Sequence, residues 1–212
     1  MRKYVIMGVQ GSGKGTQSEM LAADLDLVHI SVGEIFRWNV ANRTKLGTRV
    51  QRVITAGELV ADDLVESVIA RRLAEHDWNF GFILDGFPRN VAQAEFLLRS
   101  YDVDAVIELD LPDSEVRRRV KARDGEARDG EARDGAARAR DDDTEQALEV
   151  RLREFHEKTR PVLELFRQKE TVVTVDAMPS REDVQQEIRS RLGLPAYKGV
   201  LAHGSPTGSV PT

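Results

Sequence analysis

The chain has 212 residues, enough for one domain with a substantial core, or one domain carrying small inserts, but not for two large independent units. Hydrophobic residues make up 41% and charged residues 32%, with a formal net charge of -5, so the composition is that of a globular protein without the basic excess of a nucleic-acid binder. The absence of cysteine excludes disulfides and thiolate zinc sites and fits a reducing cytoplasm.

Met1-Arg2-Lys3 leads into the short apolar run 4–7, which enters a glycine-rich loop too soon for a secretory leader and reads as a buried first strand. No segment reaches the ~20 apolar residues of a membrane span. Further apolar runs at 27–30, 82–84, 105–109 and 171–175 read as buried parallel strands. Between them 14–24, 62–75, 91–99, 113–121, 144–168 and 180–191 carry helical spacing. Strand and helix in alternation predict a doubly wound α/β sheet. Pro112-Asp113, and Ser180 with Asp183 three residues on, mark helix starts. The segment 122–135 is nearly a tandem repeat of Ala-Arg-Asp-Gly-Glu, too polar to pack a core, and reads as a solvated insert. From 195 to 212, Gly, Pro, Ser and Thr dominate, which predicts a disordered tail. His29, His76, His156 and His203 show no metal-ligand spacing and read as structural or exposed, while Trp38 and Trp78 read as packing residues.

Residues 8–16, Gly-Val-Gln-Gly-Ser-Gly-Lys-Gly-Thr, follow a predicted strand and open a predicted helix, the context that a phosphate-binding loop requires. Glycines let backbone N–H groups converge on phosphate oxygens, the helix N-terminus adds partial positive charge, and Lys14 adds a full one. Gly15 stands where the general motif has Ser or Thr, and the hydroxyl comes one residue later at Thr16. Asp85 ends the run Gly81-Phe-Ile-Leu-Asp, at the carboxyl end of a strand, where α/β sheets place ligands and where an acid can hold the hydration shell of Mg2+.

These residues, with His29-Ile-Ser-Val-Gly-Glu-Ile-Phe-Arg37, Ala56-Gly-Glu-Leu-Val60, Asp85-Gly-Phe-Pro-Arg89 followed by Gln93, and Arg140-Asp-Asp-Asp143 to Arg151, resemble the adenylate kinases and related nucleoside monophosphate kinases over roughly 1–194. The resemblance implies a five-stranded phosphate-loop fold with an insert at 31–60 for the monophosphate and a mobile lid at 122–139, zinc-free, that closes over ATP. It implies Mg2+-dependent phosphoryl transfer from ATP in a cytoplasmic monomer. Gly11, Ser12, Gly13, Lys14, Gly15, Thr16 and Arg119 match ATP-binding positions, with Arg119 stacking on the donor adenine. Val32, Arg37, Glu58, Leu59, Val60, Gly86, Arg89 and Gln93 match monophosphate-binding positions. Lys14, Arg89, Arg123, Arg140 and Arg151 match catalytic positions, and Asp85 with Thr16 would hold Mg2+ through water. The register of the repeat also allows Arg128 or Arg133 in the role of Arg123. Asp141 to Asp143 fit helix capping and charge pairing, and Arg117 and Arg118 match no family position.

Two positions bear on the acceptor. In the family Gln93 reads adenine, which a carboxamide can do by donating and accepting together, and this favours AMP. Val32 stands where AMP-selective relatives have Thr and pyrimidine kinases have Ala; a buried polar partner discriminates more strongly than a methyl group, so AMP ranks first. Gln10 replaces the Pro of many relatives and is expected to change loop stiffness with little effect on chemistry. A pyrimidine or broad-specificity monophosphate kinase, and a catalytically weak nucleotide sensor, are the competing readings.

Overall fold

The computed structural model describes residues 2–75, 80–128, 144–169 and 172–197, without the side chains of 123–128. Strands β1 (Lys3–Gly8), β2 (Leu27–Ser31), β3 (Gly81–Asp85), β4 (Ala105–Asp110) and β5 (Val172–Asp176) form one sheet in the order β2-β3-β1-β4-β5. Every neighbouring pair is parallel. Parallel neighbours need long crossovers, and helices supply them. These are α1 (Lys14–Leu25), α2 (Val32–Ala41), α3 (Lys45–Thr55), α4 (Asp62–Ala74), α5 (Val91–Ser100), α6 (Asp113–Arg128), α7 (Glu145–Glu154), α8 (Arg160–Lys169) and α9 (Arg181–Arg191). The chain leaves β1 toward β2, returns through β3, then crosses to build β4 and β5 on the other side. Winding therefore reverses at β1, and the crevice at the carboxyl end of such a strand is where open α/β sheets bind ligands.

Side chains along β1 alternate between two apolar layers. Tyr4 and Ile6 join Leu21, Val116, Val184 and Ile188 on one face. Val5 and Met7 join Phe36, Ile69, Leu97 and Phe166 on the other. A sheet covered on both faces needs apolar residues at successive positions, so its strands appear as unbroken hydrophobic runs. Each such large apolar side chain contributes about 1.5–3 kcal/mol relative to exposure.

The segment 31–60, expected only as an insert, contains the two helices α2 and α3. Ser31 caps the first, its Oγ accepting from the Glu34 N–H at 3.4 Å, and Thr44 caps the second, accepting from the Gly47 N–H at 3.0 Å. Helix α6 runs to Arg128, past the end expected at 121. The Ala, Arg and Glu of the repeat are good helix formers, and one Gly costs only about 1 kcal/mol. The single helix expected over 144–168 is α7 and α8 joined by a π-helical turn, Phe155–Thr159. Trp38, expected to pack, is 62% exposed, because it lies across α2 from the buried Phe36. Trp78, His76, His203, Asp141 to Asp143 and the tail beyond 197 lie outside the described residues, as does most of the expected lid. Among the described residues no helix is long and apolar enough to cross a membrane.

Candidate active site

The loop after β1 enters α1 through Gly13, whose φ of +92° lies in the left-handed region that glycine tolerates without cost. Lys14 Nζ donates to the Gly8 and Val9 carbonyls, each at 2.9 Å, so the lysine folds over the loop that precedes it. Above this loop opens a cavity of about 410 Å3. Gly11, Gly13, Lys14, Gly15, Thr16 and, from α6, Arg119 form one part of its wall. Another part comes from Val32 and Arg37 of α2, Glu58, Leu59 and Val60 of the connection after α3, and Gly86, Arg89 and Gln93 beyond β3. Asp85 and Arg151 also line it, whereas Ser12 is buried beneath the loop and does not. The side chain of Arg123, and Arg140 altogether, lie outside the described residues.

Arg89, Arg119 and Arg151 are each held by neighbours. Arg89 Nε donates to the Gly86 carbonyl at 2.9 Å, and its own carbonyl accepts from Thr159 Oγ1 of the π-helical turn at 2.7 Å. Arg119 donates to Glu115 at 2.8 Å and to the Ala177 carbonyl at 2.8 Å, which fixes the plane of its guanidinium. Arg118 and then Arg119 hold the Glu115 carboxyl at about 2, so it stays ionised. Arg151 donates to Gln10 Oε1 at 3.0 Å and to the Ile54 carbonyl at 3.2 Å. Gln10 thus does more than alter loop stiffness: it joins the loop to α7, and Arg151 joins both to α3.

Asp85 is 8% exposed and closes β3 next to the loop; a Cβ on Gly15 would stand 3.8 Å from its Oδ2. Burial favours its protonated form, but His29, with the charges of Lys14 and Arg89, outweighs burial and holds the carboxyl below its ordinary value. Burial likewise disfavours a charged His29, yet Asp85 raises its pKa, helped by Glu34 and Glu19. The two side chains are 3.8 Å apart, an ion pair beyond hydrogen-bond range. An ionised Asp85 and the Thr16 hydroxyl are oxygen donors suited to a hard cation that keeps most of its water. Among the described residues no three acidic or histidine side chains cluster closely enough to hold a metal on their own.

Gln93 is 2% exposed, and its carboxamide is engaged at both ends: Oε1 accepts from the Arg89 N–H at 2.8 Å, and Nε2 donates to Asp62 Oδ1 at 2.7 Å.

The model of the adenylate kinase family matches residues 6–171, which include every described side chain named above as lining the cavity. The chain belongs to the adenylate kinase family. It is 38% identical over 202 residues to the adenylate kinase of Parvibaculum lavamentivorans, covering 93% of this chain and 95% of that one. It is 36% identical over 205 residues to the adenylate kinase of Fusobacterium nucleatum, covering 89% and 97%. To adenylate kinase 1 of Nostoc sp. it is 34% identical over 198 residues, covering 91% and 100%. Within this adenylate kinase fold the sequence had pointed to neither Asp62 nor Thr159, since an acid in a helix's first turn and a threonine mid-helix are both commonplace. The spacing of Asn90 three residues before Gln93 is an N-cap signal that could have been read, and Asn90 does cap α5.

Proposed function

We propose that the protein catalyses reversible transfer of the terminal phosphoryl group of ATP to AMP, giving two ADP, with Mg2+. The observation that carries this reading is that the phosphate loop and the 58–60, Gly86, Arg89 and Gln93 set open into one cavity, as direct transfer between two nucleotides requires.

An oxygen of the AMP phosphate attacks the γ-phosphorus in line; the bond from that phosphorus to the β–γ bridging oxygen breaks, and ADP leaves. The attacking oxygen is already anionic, so no side chain need remove a proton. The protein's task is to bring two anions together and stabilise the charge that shifts between them. Arg37 and Arg89 bind the acceptor phosphate, for which a planar fork of donors suits. Lys14 and the loop N–H groups bind the ATP phosphates, and Arg151 follows the moving group. Arg119, its plane fixed by the Ala177 and Glu115 contacts, stacks on the donor adenine. Arg123 and Arg140 approach the same phosphates. Asp85 and Thr16 would hold Mg2+ through its water shell, and the ion would neutralise charge on the β- and γ-phosphates.

Domain 1–194 is the catalytic unit in this reading, with 31–60 closing on the monophosphate and 122–139 acting as the lid that excludes water from the transfer. The segment 195–212 is left outside that unit. The protein works as a monomer in the cytoplasm.

The experiment is to incubate purified protein with Mg-ATP and each of AMP, CMP, UMP, GMP and dAMP, and to quantify the diphosphates by chromatography. AMP should be converted fastest, with two ADP per ATP consumed. Faster conversion of CMP or UMP, or no transfer to any acceptor, would overturn the assignment.

A further inference from the structure

The carboxamide of Gln93 can discriminate between bases only if its oxygen and nitrogen keep fixed places, since the two ends of an amide are nearly the same size and differ only in donating or accepting. In this chain the places are set from two directions. The Arg89 N–H can only donate, and it meets Oε1 at 2.8 Å; the Asp62 carboxylate can only accept, and it meets Nε2 at 2.7 Å. A half-turn of the amide would set N–H against N–H at one end and oxygen against a carboxylate oxygen at the other. Gln93 is almost fully buried, so water cannot relieve either clash. Asp62 is itself held: the same Oδ1 accepts from Asn90 Nδ2 at 2.8 Å, and Asn90 Oδ1 accepts from the Gln93 backbone N–H at 2.9 Å. This closed set of bonds ties the first turn of α4 to that of α5.

We infer that Asp62 is a positioning residue that selects the acceptor base by locking the orientation of the Gln93 carboxamide. The inference rests on the proposed function, in which Gln93 faces the base of the monophosphate. Oε1 has two lone pairs and Nε2 two N–H groups, so each atom retains capacity beyond the bond described. The locked amide offers an acceptor and a donor in a set order. Adenine meets that order with its exocyclic amino group opposite Oε1 and a ring nitrogen opposite Nε2. Guanine presents a carbonyl oxygen where adenine has the amino group, so it would face acceptor with acceptor. An amide free to turn would accommodate both purines; the lock makes the site reject guanine.

The test compares wild-type protein with Asp62→Leu, which removes the acceptor, and Asp62→Asn, which keeps a neutral one. Read out kcat/KM for AMP and GMP, KM for ATP, and the dissociation constants of both monophosphates by calorimetry, with circular dichroism melts to verify folding. Asp62→Leu should lower the AMP-over-GMP preference about tenfold or more while KM for ATP holds within about twofold. Asp62→Asn should retain most of the preference, which separates orientation from the favourable effect of an acid at the start of α4. A folded Asp62→Leu with the wild-type preference would overturn the inference, and so would equal losses toward AMP, GMP and ATP. If Asp62→Leu does not fold, the side-chain amide protons of Gln93 in the wild type, assigned by their loss in Gln93→Leu, decide by NMR. Strong protection of these protons from solvent exchange is expected, and exchange as fast as that of an exposed glutamine would contradict the lock. Should the wild type fail to phosphorylate AMP, the functional reading falls, and the calorimetric AMP-to-GMP ratio still decides the role of Asp62.

Discussion

Lys14 and Arg89 are both half-buried cations on the cavity wall, yet they are held differently and should fail differently when removed. Lys14 folds over the loop carbonyls, and in the proposed reaction its charge serves the moving phosphoryl group, so Lys14→Ala should cut kcat by about 100- to 1,000-fold and leave the melting temperature nearly unchanged. Normal turnover in steady-state assays would remove it from the site. Arg89 is braced by the Gly86 carbonyl and Thr159, which suits a residue that grips the acceptor phosphate. Arg89→Ala should therefore raise KM for AMP at least about tenfold and lower kcat, with KM for ATP little changed; unaltered AMP kinetics would refute its role. The phosphate loop was legible at the residue scale, because the spacing of its glycines and Lys14 after a strand carries its own chemistry, whereas the place of Arg89 was implied only by the resemblance of Asp85-Gly-Phe-Pro-Arg89 to the family. The bond between Gln10 and Arg151 was not legible, since the partners are 141 positions apart and nothing near either announces the other.

At the scale of elements, the strands were readable because a sheet buried on both faces writes itself as uninterrupted apolar runs. Helix α9 was readable from its cap: Ser180 Oγ accepts from the Asp183 N–H at 3.2 Å and donates to the Asp183 carboxylate at 2.7 Å. Ser180→Ala should lower stability by about 1 kcal/mol in urea denaturation and leave kinetics nearly unchanged, since Ser180 does not itself line the cavity. No loss of stability would mean that water replaces the cap without cost. Helices α2 and α3 were missed because motif residues dominate the reading of 31–60, although Ser31 with Glu34 three residues later is a capping pattern. The break between α7 and α8 could not be read from local propensity, because residues 155–159 suit a regular helix; the turn coincides with the contact from Thr159 to Arg89. Gly57 is an element-scale constraint of another kind, with φ at +78° and a hypothetical Cβ only 2.4 Å from the Ala147 carbonyl oxygen of α7. Gly57→Ala should cost about 1–3 kcal/mol by the same denaturation assay, and a neutral result would show that the connection can move away from α7.

The whole molecule carries a net negative charge, so it does not draw nucleotides by bulk charge. Along the cavity, Lys14, Arg37, Arg89, Arg119 and Arg151 are half-buried, while of the acids Glu19, Glu34 and Glu58 are exposed, Glu154 is half-buried and Asp85 is buried. The cations therefore act in a less polarisable surrounding than the three exposed glutamates do, and placement matters more than the total. Reversal of winding at β1 puts the phosphate loop beside the residues that follow β3, which is how one cavity comes to serve two nucleotides. The central claim is direct transfer between two nucleotides bound together, and initial rates measured over a grid of Mg-ATP and AMP concentrations test it most directly. Double-reciprocal lines that intersect, with two ADP formed per ATP consumed, are the predicted result; parallel lines, the mark of a phosphorylated enzyme intermediate, or ATP consumption independent of AMP, would contradict it.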